Sequence, residues 1–246
     1  MSEEIAARTV NPNSAMLWFP QIKAAGLPVP RTIFVPYSHC GILPMFDGED
    51  SQEFTRLVGA VRLACEEIGY PAFIRSDLTS AKHGGPDAYL IRDAENITRP
   101  LFRTLEDNEM KLFLERRGPL AIMVRQFLTL PAPFTCFHGL PISMEWRLFA
   151  DAEKNYCEHP YWPEEALEDY PIDCADWRAE LAKMHEPPAE MPNLKRMAIE
   201  AARACNGGAW SVDFCQDETG KFWLLDMARA RDSYHWPGCP AAKDIT

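Results

Sequence analysis

The chain has 246 residues, of which 47% are hydrophobic and 25% charged, proportions that are typical of a globular protein with a sizeable core. Its formal net charge is −11, from 36 acidic and 25 basic side chains, which argues against a broad nucleic-acid-binding surface. No apolar run approaches the roughly 20 residues that span a bilayer, and the acidic N-terminus is unlike a signal peptide, so a cytoplasmic protein without a membrane partner is expected.

Eight cysteines are spread along the chain, and no two of them have Cys-x-x-Cys spacing. Without an export signal, such cysteines are expected to be free thiols in a reducing compartment. The histidines are scattered in the same way, and no His-x-x-x-His pattern or Cys/His pair of ligand spacing stands out. No structural zinc site is therefore predicted.

The first part of the chain alternates helix and strand patterns. Residues 14–25 are typical of a helix that is interrupted at Pro20, and a short strand, RTIFV, follows at residues 31–35. Apolar residues then recur at helical spacing over residues 51–68, and Ser51 is a suitable N-cap for that helix.

The middle of the chain carries clear strand patterns. Strands are predicted at residues 71–77 and 88–91, separated by a polar loop that contains two glycines. Residues 94–116 have the periodicity of one or two helices, and residues 118–130 contain an apolar strand.

The last part of the chain ends in a predicted hairpin. A strand at residues 142–151 is followed by an acidic, partly helical stretch at 164–185 and a helix at 193–205. Two apolar strands then flank the turn-like QDETGK. Mixed helices and antiparallel hairpins predict an α+β fold rather than a doubly wound parallel sheet. Neither G-x-G-x-x-G nor the P-loop pattern occurs.

The late hairpin carries one aspartate in each apolar strand. A four-residue turn, DETG, would place Asp213 opposite Leu224 and make Asp226 its diagonal neighbour on the same face, with Phe222, Leu224, Asp226 and Ala228 together. Diagonal neighbours lie about 7–8 Å apart, close enough for two carboxylates to share a hard cation. The alternative is that the aspartates are solvated on an exposed strand. The apolar flanks favour the shared cation, because an unpaired buried carboxylate is costly.

Four segments, in this order along the chain, resemble those of ATP-grasp proteins. The strand and flexible loop that hold the ATP phosphates resemble PAFIRSD and TSAKHGG, and the strand and hinge that receive adenine resemble AIMVRQFLTL. The strand that offers a substrate- or phosphate-facing arginine resembles PISMEWRLFAD, and the two metal-binding strands resemble VDFCQDETGKFWLLDMA. The resemblance covers residues 71–236 and depends on the ordered set rather than on any single motif.

The resemblance is closest to the clade in which arginine replaces the usual strand lysine. That clade occurs in phages and bacteria and is related to the cell-division-cycle proteins that help assemble a translation initiation factor. It implies two α+β subdomains that grip a nucleotide between antiparallel sheets, with ATP and Mg²⁺ as cofactors. The implied divisions are a shortened N-terminal region at 1–68, a small subdomain with the hinge at 69–130, and a large subdomain with the metal-binding strands at 131–246.

The resemblance also implies roles for individual residues. Arg75 and Lys82 would contact the ATP phosphates and, with Arg147, would be the catalytic residues that neutralise charge on the transferred phosphoryl group. Gln126, Phe127 and Leu128 would form the hinge, where backbone groups read adenine. The alternatives are ordinary ones: a surface arginine, a solvated loop lysine, core packing in the hinge, and a surface ion pair of Arg147 with Glu145.

Asp213 and Asp226 would hold one or two Mg²⁺ ions that bridge the ATP phosphates. The second metal strand of the family normally ends in glutamate, any residue, asparagine, whereas this chain has Asp226 and then Ala228. Either a single Mg²⁺ ion would be sufficient, or Asp232 or Ser233 would supply the ligand that Ala228 cannot. Two basic residues, Arg229 and Arg231, would bind an anionic substrate beside the metal.

The predicted function is an ATP-dependent ligase of the carboxylate–amine type, which forms an acylphosphate on an unidentified carboxylate or protein acceptor. One alternative is a kinase of the same fold that leaves the phosphate on its acceptor. Another is an ATP-binding assembly factor with little turnover of its own, which the missing asparagine favours.

Overall fold

The computed structural model describes residues 11–79, 84–115 and 118–245. The chain divides into two compact units. One unit comprises Arg31–Phe127 together with the chain up to Met16, and the other comprises Leu17–Pro30 and Leu128–Thr246. The chain therefore passes between the units three times, and neither unit is one continuous segment.

Helices of eight to 18 residues occur in both units. The α-helices are α1 (Ala15–Ala24), α2 (His39–Phe46), α3 (Gln52–Ile68), α4 (Thr98–Glu115), α5 (Trp177–Met184) and α6 (Met191–Ala204). Among the described helices, none is long and apolar enough to cross a bilayer.

The strands form two four-stranded sheets and one small hairpin. They are β1 (Thr32–Pro36), β2 (Ala72–Ser76), β3 (Leu90–Ile91), β4 (Ala121–Gln126), β5 (Phe134–Cys136), β6 (Leu140–Ile142), β7 (Glu145–Ala150), β8 (Asn155–Pro160), β9 (Trp210–Gln216) and β10 (Phe222–Arg229). All neighbouring strands pair antiparallel, which confirms the predicted α+β class.

The first unit is a sheet of strand order β1-β4-β2-β3 with helices packed on it. α3 packs against β1 and β4, and α4 packs against β2. As predicted, Ser51 caps α3, because its Oγ accepts a hydrogen bond of 2.9 Å from the Phe54 backbone N–H. Leu57, Val61 and Ile68 of α3 are buried in the core of this unit, at the spacing of one helix face.

The second unit is a sheet of strand order β10-β9-β7-β8, and α6 packs against the last three of these strands. The buried residues of α6 recur every three or four positions, as the core-facing side of an amphipathic helix does. Side chains alternate between the two faces of each strand, so Trp210, Val212 and Phe214 lie on one face of β9 and Ser211 and Asp213 on the other.

The structure differs from the predicted elements in two ways. α1 continues through Pro20, where an interruption was predicted. The burial of Trp18, Phe19 and Ile22 on the same helix offsets the lost hydrogen bond and the steric clash that a proline introduces. α2, β5, β6 and β8 were not predicted. β8, for example, has six half-buried residues and therefore lacks the alternation that marks a strand.

Candidate functional site

The hairpin of β9 and β10 contains a β-bulge at Leu225. Before the bulge, Leu224 lies opposite Phe214, and after it Asp226 lies directly opposite Asp213. The predicted register, with Asp213 opposite Leu224, is therefore wrong. The extra residue in β10 moves Asp226 to the opposite face from Leu224, because one added residue reverses the alternation of side chains.

The bulge brings the two carboxylates closer than the predicted register would. Directly opposite residues have Cβ atoms about 4.5–5.5 Å apart, and like charges in such a pair are destabilising unless a cation compensates them. Asp213 is buried, with 6% of its surface exposed, and Asp226 is half-buried. Asp226 Oδ1 accepts a hydrogen bond of 3.0 Å from the Met227 backbone N–H.

Arg147 of β7 provides part of this compensation. Its Nε and Nη2 atoms donate to Oδ1 and Oδ2 of Asp213, both at 2.8 Å, in a bidentate ion pair. Burial by itself lowers the pKa of Arg147, but the charge and hydrogen bonds of Asp213 outweigh burial and raise the pKa overall. The guanidinium also lies over the ring of Tyr161, 4.7 Å from its centroid.

These residues belong to one row across the second sheet. The strand registers pair His159 with Arg147, Arg147 with Asp213, and Asp213 with Asp226. We call these four residues the polar row. Because paired residues project to the same face of a sheet, the polar row places two carboxylates, a guanidinium and an imidazole side by side.

Magnesium fits the acidic end of the polar row by donor chemistry. Mg²⁺ prefers carboxylate oxygens, and Asp213 and Asp226 present two carboxylates in direct register. With Arg147 as the positive member and neutral His159, the polar row carries two negative charges and one positive charge. A second positive charge would therefore stabilise it.

The first unit holds three of the residues predicted to contact the nucleotide, Arg75, Gln126 and Phe127. Arg75 of β2 is buried, with 5% exposure, and its Nε donates to the Ser76 carbonyl at 3.1 Å. Gln126 ends β4, and its backbone N–H donates to the Arg31 carbonyl at 2.8 Å. Phe127 is half-buried, and the boundary between the two units follows it directly.

Comparisons with known proteins bear on the fold. No protein-family model matches the chain, and no curated protein matches it in sequence. The chain is similar to solved structures of ATP-grasp proteins. C-terminally truncated Cdc123 from Schizosaccharomyces pombe is 11% identical, with a TM-score of 0.57, and the match covers 88% of this chain and 82% of that one.

Two further solved structures are longer than this chain. Biotin carboxylase from Campylobacter jejuni is 14% identical with a TM-score of 0.51, and the match covers 92% of this chain and 42% of that one. A RimK-domain ATP-grasp protein from Sphaerobacter thermophilus DSM 20745 is 17% identical with a TM-score of 0.47, and the match covers 87% of this chain and 58% of that one. The chain thus spans little more than half of that relative.

The chain has the ATP-grasp fold. Within this fold, the predicted hinge of Gln126, Phe127 and Leu128 coincides with the boundary between the two compact units. Lys82, which was predicted to bind phosphate from the flexible loop of an ATP-grasp protein, lies outside the described residues.

The resemblance to ATP-grasp proteins implies asparagine at the position of Ala228 in β10. Ala228 lies opposite Ser211, whose Oγ is 2.5 Å from the Oγ of Ser233. Ser233, one of the two residues considered as a substitute ligand, is therefore hydrogen-bonded beside this position. The other, Asp232, is exposed.

The structure does not bring the two predicted substrate arginines to the polar row. Arg229 is the register partner of Trp210 and so lies on the opposite face of the sheet from Asp213. Its guanidinium lies 4.0 Å from the centroid of the Trp210 ring, and its Nη1 donates to the Gly207 carbonyl at 3.1 Å. Arg231 is exposed, with 67% of its side chain accessible.

The structure also brings together residues that the sequence analysis did not group. Cys157, His159, His235 and Cys239 place one ligand atom each within 4.8 Å of one another, although their spacing in the sequence did not single them out. The signal was present as Cys-x-His and His-x-x-x-Cys, but the two pairs are 78 residues apart and only the fold joins them. Burial lowers the pKa of both histidines, and burial followed by the neighbouring Cys239 raises the pKa of Cys157 to about 12.

Proposed function

We propose that this chain is an ATP- and Mg²⁺-dependent ligase of the carboxylate–amine type. The observation that supports this best is the acidic end of the polar row, where a bulge sets Asp226 opposite Asp213 and Arg147 binds Asp213 through two hydrogen bonds. A half-buried guanidinium beside two carboxylates is a suitable environment for a metal-bound polyphosphate.

In this proposal Asp213 and Asp226 hold the Mg²⁺, which when bound neutralises phosphate charge. Arg147 contributes a fixed positive charge where negative charge develops on the transferred phosphoryl group. Its bidentate bond to Asp213 holds the guanidinium in place before substrate binds, so little reorganisation is needed during the reaction. Phosphoryl transfer requires positioning and electrostatics more than a covalent protein group.

The proposal assigns further contacts to individual residues. Arg75 and Lys82 contact phosphate oxygens, and the backbone of Gln126, Phe127 and Leu128 reads adenine. An anionic group of the substrate binds Arg231, which is exposed, whereas Arg229 lies on the opposite face of the sheet against Trp210 and is assigned no substrate contact. Arg75, in place of a strand lysine, also supports assignment to the phage and bacterial clade.

The proposed reaction has two steps. A carboxylate oxygen of the acceptor attacks the γ-phosphorus of ATP, the bond from that phosphorus to the β–γ bridging oxygen breaks, and ADP leaves. An amine then attacks the acyl carbon of the acylphosphate, phosphate leaves, and the amine loses a proton as the amide forms. The acceptor is a carboxylate, either of a small molecule or of a protein.

Two other functions use the same site. A kinase would stop after the first transfer and leave the phosphate on its acceptor. An assembly factor would bind ATP with Mg²⁺ and turn it over negligibly. Ala228 favours the assembly factor, because the second proposed metal strand then lacks one oxygen ligand.

Calorimetry with ATP and Mg²⁺ tests the nucleotide and metal assignments. The wild-type chain is expected to bind, and Asp226→Asn to weaken binding at least tenfold, since it removes one of two carboxylate ligands; tenfold corresponds to about 1.4 kcal/mol. Asp226 is half-buried, so its substitution disturbs folding less than that of buried Asp213. The matched control is Asp169→Asn, an exposed aspartate of the same unit, which should bind as the wild type does.

The outcomes separate the parts of the proposal. No heat from the wild type would refute nucleotide binding, and wild-type affinity in Asp226→Asn would refute the metal assignment. An assay of ADP release, with a panel of carboxylates in the presence and absence of an amine, then separates the three functions. A ligase needs both co-substrates for the amide product, a kinase yields a stable phosphorylated acceptor, and an assembly factor releases no ADP above background.

A further inference from the structure

Four side chains of the second unit converge at the outer edge of its sheet. Cys157 and His159 are two apart on β8, so they project to the same face, and His235 and Cys239 come from the segment that follows β10. His235 Nε2 lies 3.0 Å from Cys157 Sγ and 3.3 Å from His159 Nε2. All four ligand atoms lie within 4.8 Å of one another.

A short turn returns Cys239 to this cluster. The Cys239 backbone N–H donates to the Trp236 carbonyl at 3.3 Å, which closes a turn over Pro237 and Gly238. Gly238 has a φ of +79°, as the third residue of a type II turn requires, and proline is favoured at the second. The sequence WPGC therefore specifies the turn that sets Cys239 beside His235.

The four donors match a tetrahedral metal ion. Zinc in proteins takes thiolate sulfur at about 2.3 Å and imidazole nitrogen at about 2.0–2.1 Å, so neighbouring ligand atoms are about 3.3–3.8 Å apart. The 3.3 Å between the two histidine nitrogens agrees with this spacing. Cys157 Sγ, at 3.0 Å from His235 Nε2, would move slightly away on metal binding, and the ligand atoms that are up to 4.8 Å apart would move closer together. Two sulfur and two nitrogen donors select Zn²⁺ over Mg²⁺ or Ca²⁺.

Hydrogen bonds to His235 cannot satisfy Cys157 and His159 at the same time. Cys157 Sγ and His159 Nε2 both lie within hydrogen-bonding distance of one atom, His235 Nε2. A neutral imidazole nitrogen either donates one hydrogen or accepts along one lone pair, so it satisfies one such neighbour at a time. A cation at the centre of the cluster would receive a lone pair from every member at once.

We propose that Cys157, His159, His235 and Cys239 form a structural Zn²⁺ site. Four protein ligands close the coordination shell, as in structural rather than catalytic zinc sites. The proposal goes beyond the ligase function and does not depend on it.

The site would anchor residues 233–239 across the face of the sheet that carries the polar row. Ser233 hydrogen-bonds Ser211 of β9, and the Tyr234 carbonyl accepts from Arg147 Nη1 at 3.4 Å. Trp236 donates from its Nε1 to the Pro160 carbonyl at 3.0 Å. Zinc binding at His235 and Cys239 would hold this segment in place, and with it the carbonyl group beside Arg147.

Metal analysis of the purified full chain tests the proposal. The protein is expressed with added zinc, purified without chelators and measured by inductively coupled plasma mass spectrometry. The wild type should carry about one Zn²⁺ per chain, and Cys157→Ser and Cys239→Ser should each lower zinc affinity about tenfold or more. Cys174→Ser, a half-buried free cysteine outside the cluster, should keep the wild-type zinc content.

Cobalt provides a measurement that does not depend on the folding of a variant. Co²⁺ added to zinc-stripped wild-type protein should give the intense visible bands of a tetrahedral site and a near-ultraviolet thiolate-to-cobalt band. One equivalent of Zn²⁺ should abolish both. Addition of Zn²⁺ should also raise the melting temperature of the stripped protein, because the metal binds the folded state.

Several outcomes would overturn the proposal. One is a wild-type chain that binds neither Zn²⁺ nor Co²⁺. A second is a Cys157→Ser variant with undiminished zinc content. A third is a disulfide between Cys157 and Cys239 in the freshly purified protein, read from the mass of the non-reduced peptides.

Discussion

Arg147 lies between the imidazole and the carboxylates of the polar row in the second unit. On one side it binds Asp213, and on the other its register partner is His159 of the Cys/His cluster. It also donates a hydrogen bond to the Tyr234 carbonyl. One guanidinium thus connects the candidate magnesium ligands to the segment that the proposed zinc would anchor.

Replacing Arg147 with alanine should destabilise the protein strongly. The substitution leaves Asp213 buried without its bidentate partner, and breaking a buried ion pair typically costs about 3 kcal/mol or more. Urea unfolding followed by tryptophan fluorescence measures the change in the free energy of unfolding. The matched control is Arg103→Ala, whose partner Glu106 and own side chain are each 52% exposed, and it should cost about 1 kcal/mol or less.

Equal decreases in the free energy of unfolding in these two variants would contradict the ion pair of Arg147 and Asp213 as a source of stability. A loss confined to Arg147→Ala would support it.

Asp217, in the turn between β9 and β10, should titrate far below an ordinary aspartate. Hydrogen bonds from the side chains of Thr219 and Trp223 lower its pKa to about 2, from a usual value of 3.8. Since the pKa is lower in the folded state, the stabilisation is present above about pH 4 and lost as the pH falls towards 2. Carboxyl NMR titration measures the pKa directly.

The matching substitution is Asp217→Ala, which should lower the free energy of unfolding by about 1 kcal/mol at neutral pH. Its difference from the wild type should shrink as the pH falls from 5 to 2. A constant difference over this range would contradict an ionised Asp217 as the cause.

At the scale of elements, the sequence predicted those whose signals are local. Ser51 and the helical spacing of Leu57, Val61 and Ile68 predicted α3, and the structure confirms both the cap and the buried face. β8 was missed because its six residues are all half-buried, so no alternation marks it.

In the candidate site, too, only the features with a local sequence signal were predicted. The sequence placed the two aspartates on neighbouring strands, but the bulge at Leu225 depends on pairing between strands and leaves no mark in the alternation of one strand. The Cys/His cluster was missed because each half is an unremarkable pair until β8 and the segment after β10 are folded together.

The strand β10 offers a gain-of-function test at Ala228. This residue follows Asp226 by two positions, on the same face, and lies opposite Ser211. Ala228→Asn adds a carboxamide oxygen beside the two carboxylates and should strengthen Mg²⁺-dependent ATP binding several-fold, by about 1 kcal/mol. Calorimetry at several Mg²⁺ concentrations measures the gain. Unchanged affinity, with Ala228→Ser as a size control, would count against a metal at this end of the polar row.

At the scale of the molecule, the second unit contains a stretch of chain that precedes the first sheet. Trp18, Phe19 and Ile22 of this stretch are buried, and the Pro28 carbonyl accepts a hydrogen bond of 2.8 Å from Leu224 of β10. The Trp18 carbonyl accepts from the thiol of Cys205 at 3.9 Å. The unit that carries the polar row is therefore built from two chain segments, one before and one after residues 31–127 in the sequence.

A fragment of residues 128–246 should consequently fail to fold alone. Losing three buried side chains exposes apolar surface worth about 1.5–3 kcal/mol each, a large part of the stability of a small domain. Joining residues 17–30 to this fragment through a flexible linker should restore a cooperative thermal transition, measured by circular dichroism. A cooperative transition in the shorter fragment would refute the need for the early stretch.

The interleaved chain also limits how such a protein can be recombined. A single crossover at the unit boundary after Phe127, the obvious place to exchange one half for that of a homologue, would transplant the sheet of the second unit without Leu17–Pro30. Viable chimaeras should therefore retain both pieces from one parent, and successful swaps should have paired breakpoints, one near residue 30 and one near residue 127.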